Sequence, residues 1–334
     1  MNAFCLPMNY RTPLALLLAT TLLGACSDKT APASASVPDT AADVAASPPA
    51  AAADDSESAD AVRPPSATAP KTEEMDTPQA REREAGMMRA VFGKDYRDDS
   101  DDALADLPDP DKHIDKLSYV VSAVNHKLLP GGRAILVANA ETANTEGTAE
   151  SAHASSGLLN VFFLAPKGQP GDGQWKVEKR LENIAALGSS GQLGEVHWIA
   201  LGANKPGLAI RHGYTGQGYT ITQLALFEIG DGKVTALDGG IDLYSDNMGA
   251  CTPDMDECWL VDGSWRFAPA RDGGAYDDLL IDFKGSSEKI KPGVTVKPDQ
   301  DPPRIATPLN GHARYAFDGK GYKLVEGKNT VPGV

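Results

Sequence analysis

Basic residues are in short supply: 31 Lys and Arg stand against 46 Asp and Glu, a formal net charge of −15. That deficit argues against a nucleic-acid partner and against a polybasic membrane patch, since both need clustered cations. Long apolar runs are also lacking. The main one, Pro13–Leu23, is too short to cross a bilayer comfortably. Cysteine is limited to Cys5, Cys26, Cys251 and Cys258. Catalytic signatures are weak. Gly188-Ser189-Ser190-Gly191 lacks the Gly-x-Ser-x-Gly pattern, and Ser286-x-x-Lys289 stands without its companion motifs. Gly213-x-x-Gly216-x-Gly218 falls between two strand-like runs, so it reads as a hairpin loop and not as a phosphate cradle opening a helix.

The N-terminal segment is positive in its content. Arg11 precedes the apolar run, which ends in Leu22-Leu23-Gly24-Ala25-Cys26. A leucine, two small residues and then cysteine resemble the lipobox of bacterial lipoproteins. The resemblance covers residues 1–26 only. It implies that segment 1–25 is a signal peptide, that cleavage falls before Cys26, and that Cys26 carries a thioether-linked diacylglycerol and an acylated amino terminus. Each buried methylene contributes about 0.8 kcal/mol, and durable attachment takes two or more chains. In lipoproteins of two-membrane bacteria an aspartate after the cysteine signals inner-membrane retention; Ser27 stands here, so the resemblance implies the periplasmic side of the outer membrane.

Export also bears on the remaining thiols. Cys5 leaves with the signal and Cys26 takes the lipid, so Cys251 and Cys258 are expected to form a disulfide around Thr252–Glu257. Two thiols without a neighbouring His or further Cys make a poor metal set.

Acidity is concentrated early: Ser27–Lys112 holds 20 acids and nine bases. Residues 26–79 are Ala, Pro, Ser, Thr and Asp with few large apolar side chains, a composition that cannot offset ordering entropy. They are expected to form a disordered tether with an r.m.s. span of about 40 Å. Residues 80–114 should hold a short helix and an acidic loop. Thr77-Pro78 supplies a helix start, and Met87, Met88, Val91 and Phe92 recur at helical spacing. Asp98–Asp111 reads as a solvated loop without calcium-site spacing.

From 115 to 334 the texture is β. Leu117–Val124, Ala134–Ala138, Leu158–Leu164, Val196–Leu201, Leu208–Arg211, Tyr219–Ile229, Leu279–Phe283 and Tyr322–Val325 are strand-like; Glu178–Leu187 suits either strand or helix. Asp-Gly at 172, 231, 238, 262, 272 and 318 marks candidate hairpin turns. The expectation is a mainly β domain, an antiparallel β-sandwich or a propeller-like array. Arg271–Ile281 resembles the turn-and-strand half of calcium-binding FG-GAP-type propeller repeats. Pro269 and Ala270 stand where that family places acidic ligands.

Two constellations remain. Pairing Leu201 with Leu208 across a Gly202–Gly207 turn sets His197 opposite His212, with Glu195 on the same face. Two imidazoles and a carboxylate are the ligand set of a catalytic zinc site, hence of a metal-dependent hydrolase. The second is the Cys251–Cys258 loop, which brings Asp246, Asn247, Asp254, Asp256 and Trp259 together as a recognition surface whose ordering cost is already met. We favour the second: a lipid-anchored, non-enzymatic periplasmic domain without cofactor. Its partner would be an exported protein, with an inhibitor, immunity or envelope-accessory role. A small-ligand or glycan binder using exposed aromatics is the further alternative.

Overall fold

The computed structural model describes residues 77–110, 115–169, 171–297 and 300–333. Cys26, segment 1–25 and the tether up to residue 76 lie outside the described residues. Helix α1 (Pro78–Phe92) starts where the Thr77 hydroxyl accepts from the Ala80 N–H at 3.2 Å, with proline in the first turn. Six strands form a first antiparallel sheet in simple chain order: β1 (Tyr96–Arg97), β2 (Asp102–Pro108), β3 (Lys116–Leu128), β4 (Ala134–Thr142), β5 (Gly157–Pro166) and β6 (Trp175–Leu187). The second sheet has nine: β7 (Glu195–Ala200), β8 (Pro206–Gly216), β9 (Tyr219–Gly230), β10 (Lys233–Asp246), β11 (Glu257–Ala268), β12 (Asp278–Ile290), β13 (Arg304–Pro308), β14 (Gly311–Phe317) and β15 (Tyr322–Gly327). The chain therefore folds as two packed antiparallel meanders, a sandwich and not a propeller. Among the described residues no helix is long and apolar enough to cross a membrane.

The burial pattern follows from what covers each face. β4 and β5 are buried almost throughout, because the first sheet is covered on both sides. Leu136, Ala138, Leu158, Phe162 and Leu164 face α1 and share a core with its Met87, Met88, Val91 and Phe92. Ile135, Val137, Leu159, Val161 and Phe163 point the other way, onto Leu208, Ile210, Ala225, Phe227 and Ile229 of the second sheet. The opposite face of β8 and β9 is covered by the second sheet itself. Its later strands curl back, so that Leu224 and Leu226 share a core with Val261, Ile281, Phe283, Tyr315 and Tyr322. The seam between sheets is polar at one point. Asn125 donates to the Val196 carbonyl at 2.9 Å and accepts from the Trp198 indole at 2.9 Å, which ties down the edge strand β7.

One expectation changes and one open reading closes. The acidic run is not all loop, because Asp102–Pro108 is a strand. Ala103, Ala105 and Leu107 turn inward and Leu104 and Asp106 outward, a period of two hidden by the acid count. Glu178–Leu187 resolves as strand within β6.

Candidate functional site: the disulfide-stapled loop

The loop joining β10 to β11 is held by several contacts. Cys251 and Cys258 are bonded, with their Cα atoms 5.6 Å apart. Asn247, fully buried, extends the β10–β11 ladder by one step. Its backbone N–H donates to the Trp259 carbonyl at 3.2 Å, and its side-chain oxygen accepts from the Trp259 N–H at 2.7 Å. The same amide donates to the Glu257 carbonyl at 2.9 Å. Asp246 is also turned inward, accepting from the Met248 N–H (2.8 Å) and the Tyr244 hydroxyl (2.6 Å). Arg304, from β13, donates to the carbonyls of Thr252 (3.1 Å), Met255 (2.7 Å) and Glu288 (3.1 Å). Finally the tip of the β8–β9 hairpin docks on the loop. A Cβ on Gly218, whose φ is +80°, would lie 2.3 Å from the Ala250 nitrogen, so only glycine fits.

The residues expected at this site thus divide. Asp246 and Asn247 are structural and unavailable to a ligand. Asp254 and Asp256 are exposed. The Thr252 hydroxyl, foremost, and the Asp254 backbone N–H hold the Asp254 carboxyl below the usual carboxylate range, so it is charged at neutral pH. Trp259 is half-buried, donating its indole N–H to Ser245 at 3.0 Å with its ring 5.9 Å from that of Tyr219. Met248 in the loop and Leu260 on β11 are 52% and 42% exposed. Arg304 was not legible as part of the site, since β13 lies far along the chain and carries no local motif. Breaking the staple with Cys251→Ser plus Cys258→Ser is expected to cost about 2–3 kcal/mol in chemical denaturation. A cost below about 1 kcal/mol would mean that Asn247 and Arg304 alone order the loop.

The proposed zinc set does not assemble. The β7–β8 turn closes earlier than expected: the Leu201 N–H donates to the Lys205 carbonyl at 2.8 Å around Gly202-Ala203-Asn204, with Asn204 at φ +60°. That shifts the register, setting His197 opposite Ala209 and Glu195 opposite Arg211, while His212 pairs with Gln223 on β9. His212 then points to the other face, where burial lowers its pKa and the Gly239 carbonyl partly offsets the shift. Glu195 contacts Arg211 at 3.6 Å and His197 at 3.8 Å. Among the described residues no group of three His, Cys, Asp or Glu is placed to hold a metal.

The FG-GAP-like segment also binds its own chain. The Asp278 carboxylate, buried, accepts from Arg314 at 3.0 Å and from the Arg271 N–H at 3.4 Å. A serine–histidine contact does arise without any motif to mark it, with the Ser190 hydroxyl 3.4 Å from His153 Nδ1. The neighbouring N–H groups of Ser190, Gly191 and Gln192 already donate to His153, Ser155 and Ser189 carbonyls. They offer no oxyanion hole beside Ser190.

Fold and site together define a two-sheet antiparallel β domain with a disulfide-stapled loop that exposes carboxylates. No protein-family model, no curated protein and no solved structure matches the chain.

Proposed function

We propose that the protein is lipid-anchored through Cys26 at the periplasmic side of the outer membrane and acts there by binding another exported protein. The lipobox-like Leu23-Gly24-Ala25-Cys26 supports the anchor, and the tract before Thr77 serves as the leash. The observation that carries the binding role is the preordered loop, which with the start of β11 exposes Met248, Asp254, Asp256 and Leu260. Ordering costs of about 0.5–1.5 kcal/mol per side chain normally oppose association, and this loop has met most of them on folding. Exposed apolar side chains and carboxylates on this stretch suit a partner with a basic, partly apolar patch, as an inhibitor or immunity protein or an envelope accessory would meet.

The test is comparative crosslinking in the producing cells, using the full-length protein and an Asp254→Lys/Asp256→Lys variant. One exported protein should be captured by the wild type and at least tenfold less by the variant, in line with the several kcal/mol cost of like-charge contact. Equal capture by both, or none by either, rejects the loop as the binding surface. Cys26→Ser should release the protein from the membrane fraction, and retention there rejects the anchor.

A further inference from the structure

On the face of the β8–β9 hairpin that looks toward the first sheet lies a cup of about 220 Å³, lined by Tyr214, Gly216, Gln217, Tyr219 and Ile221. The register pairs Tyr214 with Ile221 and Gly216 with Tyr219, so these four share one side of the ribbon. Both tyrosine rings are held from behind. Tyr214 packs on His153 with centroids 5.0 Å apart, and the His153 ring is fixed by the Thr215 carbonyl. Tyr219 packs on Trp259 at 5.9 Å. Gly216 is needed for this shape, because a Cβ there would fall 2.4 Å from the Tyr214 hydroxyl; the ring lies across the bare backbone.

The lining contains no Asp, Glu, Lys or Arg, which selects against a charged ligand. Two aromatic rings offer flat apolar faces, while their hydroxyls and the Gln217 carboxamide supply donors and acceptors at the edge. The complementary ligand is apolar on its faces, hydroxylated around its rim, uncharged and no larger than one ring. We infer that the cup binds a single pyranose, either free or as one residue of a glycan. The inference does not depend on the protein partner proposed above, since Asp254 and Asp256 take no part in the cup.

A ligand of so few atoms in a shallow cup reaches a Kd on the order of 1 mM. The full-length protein is titrated with uncharged methyl pyranosides (glucoside, galactoside, N-acetylglucosaminide), reading the ring resonances of Tyr214 and Tyr219 by NMR. At least one should shift both sets saturably. Tyr214→Ala should weaken that sugar by about tenfold or more, and Gly216→Val should abolish binding by displacing the ring. Tyr214→Phe keeps the stacking face and should retain most of the affinity. Tyr214 is 40% exposed, so its variants should keep the wild-type melting temperature, which is checked alongside. No shift with any pyranoside, unchanged affinity in Tyr214→Ala, or equal affinity for indole overturns the assignment. Sugar binding that survives Asp254→Lys/Asp256→Lys, while protein capture does not, keeps the two sites separate.

Discussion

Phe162→Ala should lower unfolding stability by about 3–5 kcal/mol, the range for removing a fully buried ring from a core. Phe162 sits on β5, a strand covered on both faces, with its own face beneath α1. Its ring meets Phe92 edge-on, with centroids 5.5 Å apart and planes at 83°. The Arg180 guanidinium lies 5.4 Å from one ring and 5.2 Å from the other, and donates to the Val91 carbonyl at 2.8 Å. Truncation therefore removes the aromatic seat of the helix and the ring that Arg180 covers. Urea unfolding should show a lower midpoint with an unchanged slope. Proteolysis at the basic sites in α1 should also accelerate, because the helix has lost the ring on which Phe92 packs. Phe162→Leu, which fills most of the volume, should cost less than about 1.5 kcal/mol. An alanine variant equally close to wild type would mean that α1 and β5 repack around the gap.

Much of this arrangement was written in the chain. The helix start at Thr77-Pro78 and the apolar spacing of Met87, Met88, Val91 and Phe92 are local signals, and local signals survive folding. The runs Ala134–Ala138 and Leu158–Leu164 read as strands because both of their faces are buried, so apolar residues occur without gaps. Asp-Gly behaved less uniformly. At 172, 231, 272 and 318 it lies between strands, but Asp238-Gly239 sits at an irregularity inside β10, and Asp262-Gly263 lies within β11. Gly263 serves a tertiary need there: a Cβ would lie 2.7 Å from the Phe283 ring. That contact joins residues remote in sequence, so no turn rule reveals it. The zinc hypothesis failed for a similar reason. Register depends on the length of one turn, and αL geometry at Asn204 closed it three residues sooner than a Leu201–Leu208 pairing requires. Within the stapled loop, the expectation of export left Cys251 and Cys258 to pair with each other, and they do. Spacing could not tell the outward carboxylates of Asp254 and Asp256 from the inward Asp246, because that distinction rests on hydrogen bonds made after the chain has folded.

Asn247 is where that distinction has its largest energetic consequence. Asn247→Ala should destabilise the domain by about 2–4 kcal/mol, since the Trp259 N–H and the Glu257 carbonyl both lose their partner at the buried side chain and each unsatisfied group costs about 1–3 kcal/mol. Hydrogen exchange locates the effect: the Trp259 amide should lose protection, while amides of β4 and β5 keep theirs relative to global unfolding. Asn247→Asp separates the two roles. It keeps an acceptor for the Trp259 N–H but removes the donor to Glu257 and places a carboxylate against that carbonyl, so it too should destabilise, increasingly as the new group ionises. Combining Asn247→Ala with loss of the disulfide should cost less than the sum of the separate changes, because both order the same ten-residue connection between Asp246 and Glu257. Full additivity would show that staple and amide act on independent parts of the loop. A stability change below about 1 kcal/mol for Asn247→Ala would show that the Cys251–Cys258 bond, Arg304 and Gly218 suffice to hold the surface without it.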